Sequence, residues 1–138
     1  MLNDEIIAAY KATNYRVLSD PEFTLRVDEQ SGELLKLYEL TRAISAAFIT
    51  AWNPFSEEKS PSENDQKNAL LRADLETLGA EILPGFGAWP DDPTKGEDSF
   101  LAIGISQKDA VILGKKYKQN AILFASDNAV PRLILLVK

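Results

Sequence analysis

At 138 residues, with 45% hydrophobic and 26% charged positions, the chain has the length and composition of one soluble globular domain that buries its core without metal or disulfide staples. A net charge of −6 argues against a general nucleic-acid surface or an anionic-membrane surface, both of which need clustered Lys and Arg. Cysteine and histidine are absent, which excludes disulfides, thiolate chemistry, Ser-His-Asp catalysis and the commonest nitrogen ligands of transition metals.

Asp4 and Glu5 stand in the first turn of an expected short helix whose Ile6, Ile7 and Tyr10 share a face. "YRVL" (15–18) and "FTLRV" (23–27) read as strands, separated by the turn composition Ser19-Asp20-Pro21-Glu22. Ser31-Gly32 opens a helix with an apolar stripe of Leu34, Leu37, Tyr38, Thr41 and Ile44. "AAFITAW" (46–52) is apolar nearly throughout, as a strand buried on both faces would be. Ser62 followed by Asp65 predicts the next helix start, with Leu71, Leu75 and Leu78 as its stripe and Gly79 as its stop.

"AEIL" (80–83) reads as a short strand, and the glycine- and proline-rich segment 84–98 as a long loop. "SFLAIGI" (99–105) is a second core strand, and Ser106 with Asp109 caps a helix that buries Ala110, Val111, Leu113 and Tyr117. "AILFA" (121–125) and "RLILLV" (132–137) form a hairpin across a polar connection. The expectation is an α/β fold, with α+β as the neighbouring class: one single-domain sandwich over 1–138, with a mixed sheet of six or seven strands and helices packed on it. Ile49, Leu101, Ile103, Ile122, Phe124 and Leu135 are expected together in its core, between the helices near 63–78 and 107–117. No run approaches the ~20 apolar residues of a membrane span, and the amino terminus has acids where a signal peptide needs positive charge, so a cytoplasmic location is expected.

The stretch "FITAWNPFSEEKSPSEN" changes character at Trp52-Asn53-Pro54, where an apolar strand gives way to hydroxyls and amides. In open α/β sheets ligands bind beyond the carboxyl ends of strands, and a helix start nearby offers N–H groups to an anion. Thr50, Trp52, Asn53, Ser56 and Asn64 are therefore candidate ligand contacts, with Trp52 or Trp89 as a stacking face. The alternative is an ordinary Asn-Pro turn with capping serines. Glu97 and Ser99 stand at the start of a core strand, and Glu97 is the candidate catalytic acid or base. Gln119 and Asn120, two amides before strand 121–125, complete the set; their structural alternative is to end a helix and tie loop backbone. Arg26 either faces solvent or pairs with a buried acid.

"ATNYRV", "FTLRV", "FITAWNPFS", "SPSEN", "EDSFLAIGIS" and "KQNAIL" together make the chain resemble a bacterial family known as domain of unknown function 3293, from about residue 8 to residue 136. The resemblance implies small stand-alone proteins, and implies that Thr50, Trp52, Asn53, Pro54, Asn64, Glu97, Ser99, Gln119 and Asn120 belong to recurring motifs. It carries no catalytic residues with it.

The function expected from these residues is binding of a small polar or anionic ligand, nucleotide-like in its narrowest form, at the 52–64 loop and helix start under the 84–98 loop. No cofactor follows from the residues and no metal-ligating cluster is visible. The competing expectation is a non-enzymatic interaction module. It would use the edge of the carboxyl-terminal strand, open also to a second copy of the chain, or the aromatics Phe86 and Trp89.

Overall fold

The computed structural model describes residues 2–137. In chain order the elements are α1 (Asp4–Ala12), β1 (Asn14–Val17), β2 (Phe23–Leu25), α2 (Gly32–Thr41), β3 (Ala46–Ile49), a 3₁₀ turn (Pro54–Ser56), α3 (Pro61–Thr77), β4 (Glu81–Trp89), β5 (Asp92–Ile103), α4 (Gln107–Lys116), β6 (Ala121–Ala125) and β7 (Arg132–Leu135). The strands form one seven-stranded sheet in the order β2-β1-β4-β5-β3-β6-β7, curled into a half-barrel. The α/β class and the strand number agree with the sequence reading.

The pairing differs from the mixed sheet expected, because every neighbouring pair is antiparallel. An unbroken apolar run marks a strand covered on both faces, and says nothing of the direction of its neighbours. β3 is such a strand: all of Ala46–Ile49 is buried between β5 and β6. Its side chains alternate between two cores. Ala46 and Phe48 face α2 with Leu101, Ile103, Leu123, Leu34 and Tyr38. Ala47 and Ile49 face α3 and α4 with Ala102, Ile122, Phe124, Leu71, Leu75 and Leu113. The expected single core is thus divided by the sheet, with Leu101 and Ile103 on the opposite side from Ile49. Leu135 does not belong to either core; on the outermost strand it is 45% exposed.

The largest correction concerns residues 84–98, which form no loop. β4 and β5 make a long hairpin that turns at Pro90-Asp91 and bulges between Ala88 and Trp89. The glycines serve close approach in place of looseness. A Cβ on Gly85 would meet the Phe48 ring at 2.7 Å, and one on Gly96 would lie 2.0 Å from the Gly87 carbonyl oxygen. Pro84 is tolerated because its side of β4 faces the end of β1, where only its carbonyl is used, by the Leu18 N–H at 2.9 Å. Gly96→Ala must therefore push two backbones apart. It is expected to lower stability by about 1–3 kcal/mol, the range for overpacking, measured by urea denaturation. An unchanged midpoint would mean that the bulge absorbs the methyl group.

Helix boundaries follow their caps. Ser31 and Ser106 accept from the Leu34 and Asp109 N–H groups as the sequence suggests. α3 begins earlier than expected: Ser60 is its cap and Pro61 its first residue, with the Glu63 N–H donating to Ser60 Oγ and that hydroxyl donating to the Glu63 carboxylate, in place of Ser62 and Asp65. α2 stops at Thr41, where Arg42 takes φ 58°, so Ile44 leaves the stripe and lies exposed. Among the described residues no helix is long and apolar enough to cross a membrane.

Candidate functional site

The core against α2 fills only part of its face of the sheet. Along β5, Ile103 and Leu101 are buried in that core, and the next residues with the same orientation are Ser99 and Glu97. Here the face hollows into a cavity of about 620 Å³. Its floor is Phe48, Tyr15 and Leu123; α1, the segment after β3 and the tip of the β4–β5 hairpin surround it. Thr50, Trp52, Asn53, Ser56, Asn64, Glu97, Ser99, Gln119 and Asn120, the candidates read from the sequence, all line this one cavity.

Much of their hydrogen-bonding capacity holds the wall in place. Asn53 sits at φ 45°, a left-handed conformation that Asn tolerates. Its backbone N–H donates to Asn64 Oδ1 at 2.9 Å, and its Oδ1 accepts from Asn64 Nδ2 and from the Lys59 N–H. Thr50 Oγ1 donates to the Asp98 carbonyl at 2.7 Å, which also receives Asn68 Nδ2 at 2.9 Å. Gln119 Nε2 donates to the carbonyls of Trp52 and Tyr117. The turn interpretation of these amides is therefore partly correct, since the same groups that line the cavity also shape it. Phe55 and Ser56 add positive φ values of 53° and 62°, strain of the kind that collects at functional sites.

Ser56 is fixed from two sides. Asn120 Nδ2 donates to its Oγ at 2.9 Å and to Tyr10 Oη at 3.2 Å, and the two hydroxyls lie 3.1 Å apart. These bonds, with Tyr15 Oη donating to the Tyr10 carbonyl at 2.6 Å, fasten α1 over the cavity, although α1 has no buried residue. Burial pushes the Tyr15 phenol far up, so it stays protonated. Arg26 neither faces free solvent nor meets a buried acid. It donates to the carbonyls of Ala12 and Thr13 and to Asn14 Oδ1, bracing the α1–β1 junction.

Glu97 is the one acid set deep in this site. Asn53 Nδ2 donates to its Oε2 at 3.0 Å, and among the described residues no donor reaches Oε1. Its cross-strand neighbour is Gly87, whose missing side chain leaves the space beside it open. The half-buried side chain borders the cavity, and withdrawal from water raises its pKa from 4.5 to about 7; the Asn53 hydrogen bond opposes this. The carboxyl group can therefore take or give a proton near neutrality.

Charge elsewhere in the wall is sparse. Glu58 and Asp91 line the cavity with a single cation, Lys59, whose ammonium lies 3.5 Å from Glu57. The amino end of α3 is largely occupied by its own cap: Ser60 Oγ receives the Glu63 N–H and Pro61 has none to offer, which leaves the single N–H of Ser62. Among the described residues no three acids approach closely enough to hold a metal ion.

The sequence reading missed Asn68, Tyr10, Tyr15 and Phe48. Asn68 left a signal: buried residues 64, 68, 71 and 75 form one stripe of α3, and amides at two of its positions require buried partners. Nothing local to Tyr10 or Tyr15 marks them, because their site neighbours lie far along the chain.

These observations define a curled antiparallel sheet with a polar-walled cavity beside its core. Residues 49–122 match the family described as "Protein of unknown function (DUF3293)", and as this is more than half of the chain, the chain belongs to that family. The matched stretch begins at the last residue of β3 and contains the 52–64 segment, α3, the hairpin, α4 and Asn120, whereas the "ATNYRV" and "FTLRV" blocks lie outside it. No curated protein and no solved structure matches the chain.

Proposed function

We propose that this protein binds a small molecule in the cavity between α1, the 52–64 segment and the β4–β5 hairpin. The observation that carries the reading is convergence: polar residues from five separate parts of the chain line one cavity of about 620 Å³, around a carboxyl group with one oxygen unpartnered among the described residues. Pockets of this size with an apolar floor and a few placed polar groups suit small ligands. Two further polar atoms in the wall, Trp52 Nε1 and Asn120 Oδ1, are buried without a partner among the described residues. Leaving such groups unpaired costs about 1–3 kcal/mol each, and each calls for an explanation. The reading keeps the polar ligand of the sequence analysis and leaves out its anionic, nucleotide-like form, which finds one paired lysine and a helix start with a single N–H left to offer. Glu97 is the group placed to exchange a proton with the bound molecule.

The chain's two tryptophans, Trp52 and Trp89, both line the cavity, so their fluorescence reports occupancy directly. Titration with small amines, amides, alcohols and carboxylic acids is expected to give a saturable change with some of them. Gly87→Val is expected to abolish that change while leaving the fold intact, because a Cβ there meets nothing closer than 3.9 Å and the branches project into the cavity. Saturable binding that survives Gly87→Val would move the site elsewhere.

The partner-binding reading draws on β7, the outer strand of the sheet, with Leu135 exposed. Phe86 and Trp89 do not support it, for they share no surface. Trp89 lines the cavity, whereas Phe86 lies on the other face of β4 beneath the Arg16 guanidinium, 5.7 Å from its ring centre.

A further inference from the structure

Resting on the small-molecule reading, we propose that the ligand presents a nitrogen cation, an amine, amidinium or guanidinium group, to Oε1 of Glu97, with its apolar body against Tyr15, Phe48 and Trp89.

The sign of the site follows from its charged residues. Glu97, Glu58 and Asp91 stand in the wall against Lys59 alone, and Lys59 is drawn to Glu57. A carboxylate partly withdrawn from water, as the half-buried Glu97 is, gains from a donor on each oxygen. Glu97 has one, the neutral amide of Asn53, on Oε2 only. Among the described residues no neighbour supplies the second. From β1, Tyr15 directs its hydroxyl proton to the Tyr10 carbonyl; from α1, the Tyr10 hydroxyl is engaged with Ser56 and Asn120. From the 52–64 segment, Lys59 offers its backbone N–H to Asn53, while Glu58 and, at the hairpin turn, Asp91 add only negative charge. Asp98, next along β5, points to the other face of the sheet and is exposed.

The rest of the wall is suited to the same ligand class. Tyr10, Tyr15, Phe48, Trp52 and Trp89 all border the cavity, and aromatic faces attract nitrogen cations that a carboxylate has already oriented. An anion would instead meet Glu97 with no pairing cation, beside a helix start whose cap leaves one N–H.

A consequence in solution follows. The cation binds the ionised carboxyl, whereas the free protein holds that group protonated up to about pH 7. Binding below that pH therefore releases a proton, and affinity rises as pH approaches about 7 and levels off above it.

The test uses the intact chain and four probes of one shape class: benzamidine and tyramine as cations, benzamide as a neutral analogue and benzoate as an anion. Trp fluorescence gives the affinities and calorimetry in two buffers counts protons. Benzamidine or tyramine is expected to bind with affinity rising roughly tenfold per pH unit between about pH 5 and pH 7, with proton release. E97Q is expected to weaken the cations at least tenfold and to leave benzamide unchanged. Benzoate binding more tightly than both cations, or cation binding indifferent to pH and to E97Q, would overturn the charge assignment and leave the small-molecule reading standing. No saturable response to any probe at millimolar concentration would remove both. Since E97Q keeps an acceptor for Asn53, a folded variant is expected, and its circular dichroism verifies this.

Discussion

Leu101→Ala is expected to cost about 2–5 kcal/mol, the range for emptying a fully buried leucine site. Leu101 is 1% exposed and sits on the central strand β5, paired across to Phe48 on β3 and Leu83 on β4. Leu34 of α2 belongs to the same core and is also fully buried. Strands on both sides and a helix above restrict relaxation around the missing atoms. A domain of this size is held by about 5–15 kcal/mol, so the variant should unfold at a much lower urea concentration. A loss under about 0.5 kcal/mol would place Leu101 outside a packed core, and with it the floor from which Ser99 and Glu97 rise.

Glu97→Gln is expected to do the opposite, and only at the right pH. Folding raises the Glu97 pKa from 4.5 to about 7, so the folded chain holds a proton that the unfolded chain has released over this interval. The protonated form favours the fold, and its contribution is full below about pH 4.5, declines as pH rises and is gone above about 7. A shift of that size corresponds to about 3 kcal/mol. The glutamine variant, neutral at every pH, should be more stable than the parent by up to about that amount at pH 8, and no more stable at pH 4.5. Urea denaturation of both proteins at several pH values gives the difference curve, in which the other carboxylates cancel. A variant less stable than the parent at pH 8 would show that the Glu97 carboxylate is held by donors other than Asn53.

Much of this was legible before the structure, because the signals were local. Caps at Ser31 and Ser106 need only a hydroxyl three residues ahead of an N–H, and the buried strands need only an apolar run. The site candidates were found by a rule about strand ends, although that rule comes from parallel sheets; the polar residues after β3 are as exposed to a cavity in an antiparallel one. What failed depended on distant partners. Gly85 and Gly96 look like flexibility until Phe48 and the Gly87 carbonyl are set beside them. Pro84 reads as a strand breaker until its unused side is seen to face the end of β1. Leu135 reads as core because the apolar pattern of an outer strand resembles that of a covered one. Tyr10 and Asn120, linked by a hydrogen bond, are 110 residues apart, a separation that no periodicity spans.

The division of the core by the sheet bears on cooperativity. Leu101 and Ala102 are consecutive in β5, yet each belongs to a different core, and the same holds for Ala47 and Phe48 in β3 and for Leu123 and Phe124 in β6. The central strands are thus a wall shared by two compartments, and neither compartment keeps its packing once the other has lost it. Unfolding is therefore expected in a single transition, with tryptophan fluorescence and backbone dichroism following the same curve. Any molecule seated on the α2 side then raises the melting temperature of α3 and α4 as much as that of the strands it touches, by mass action on the whole unit.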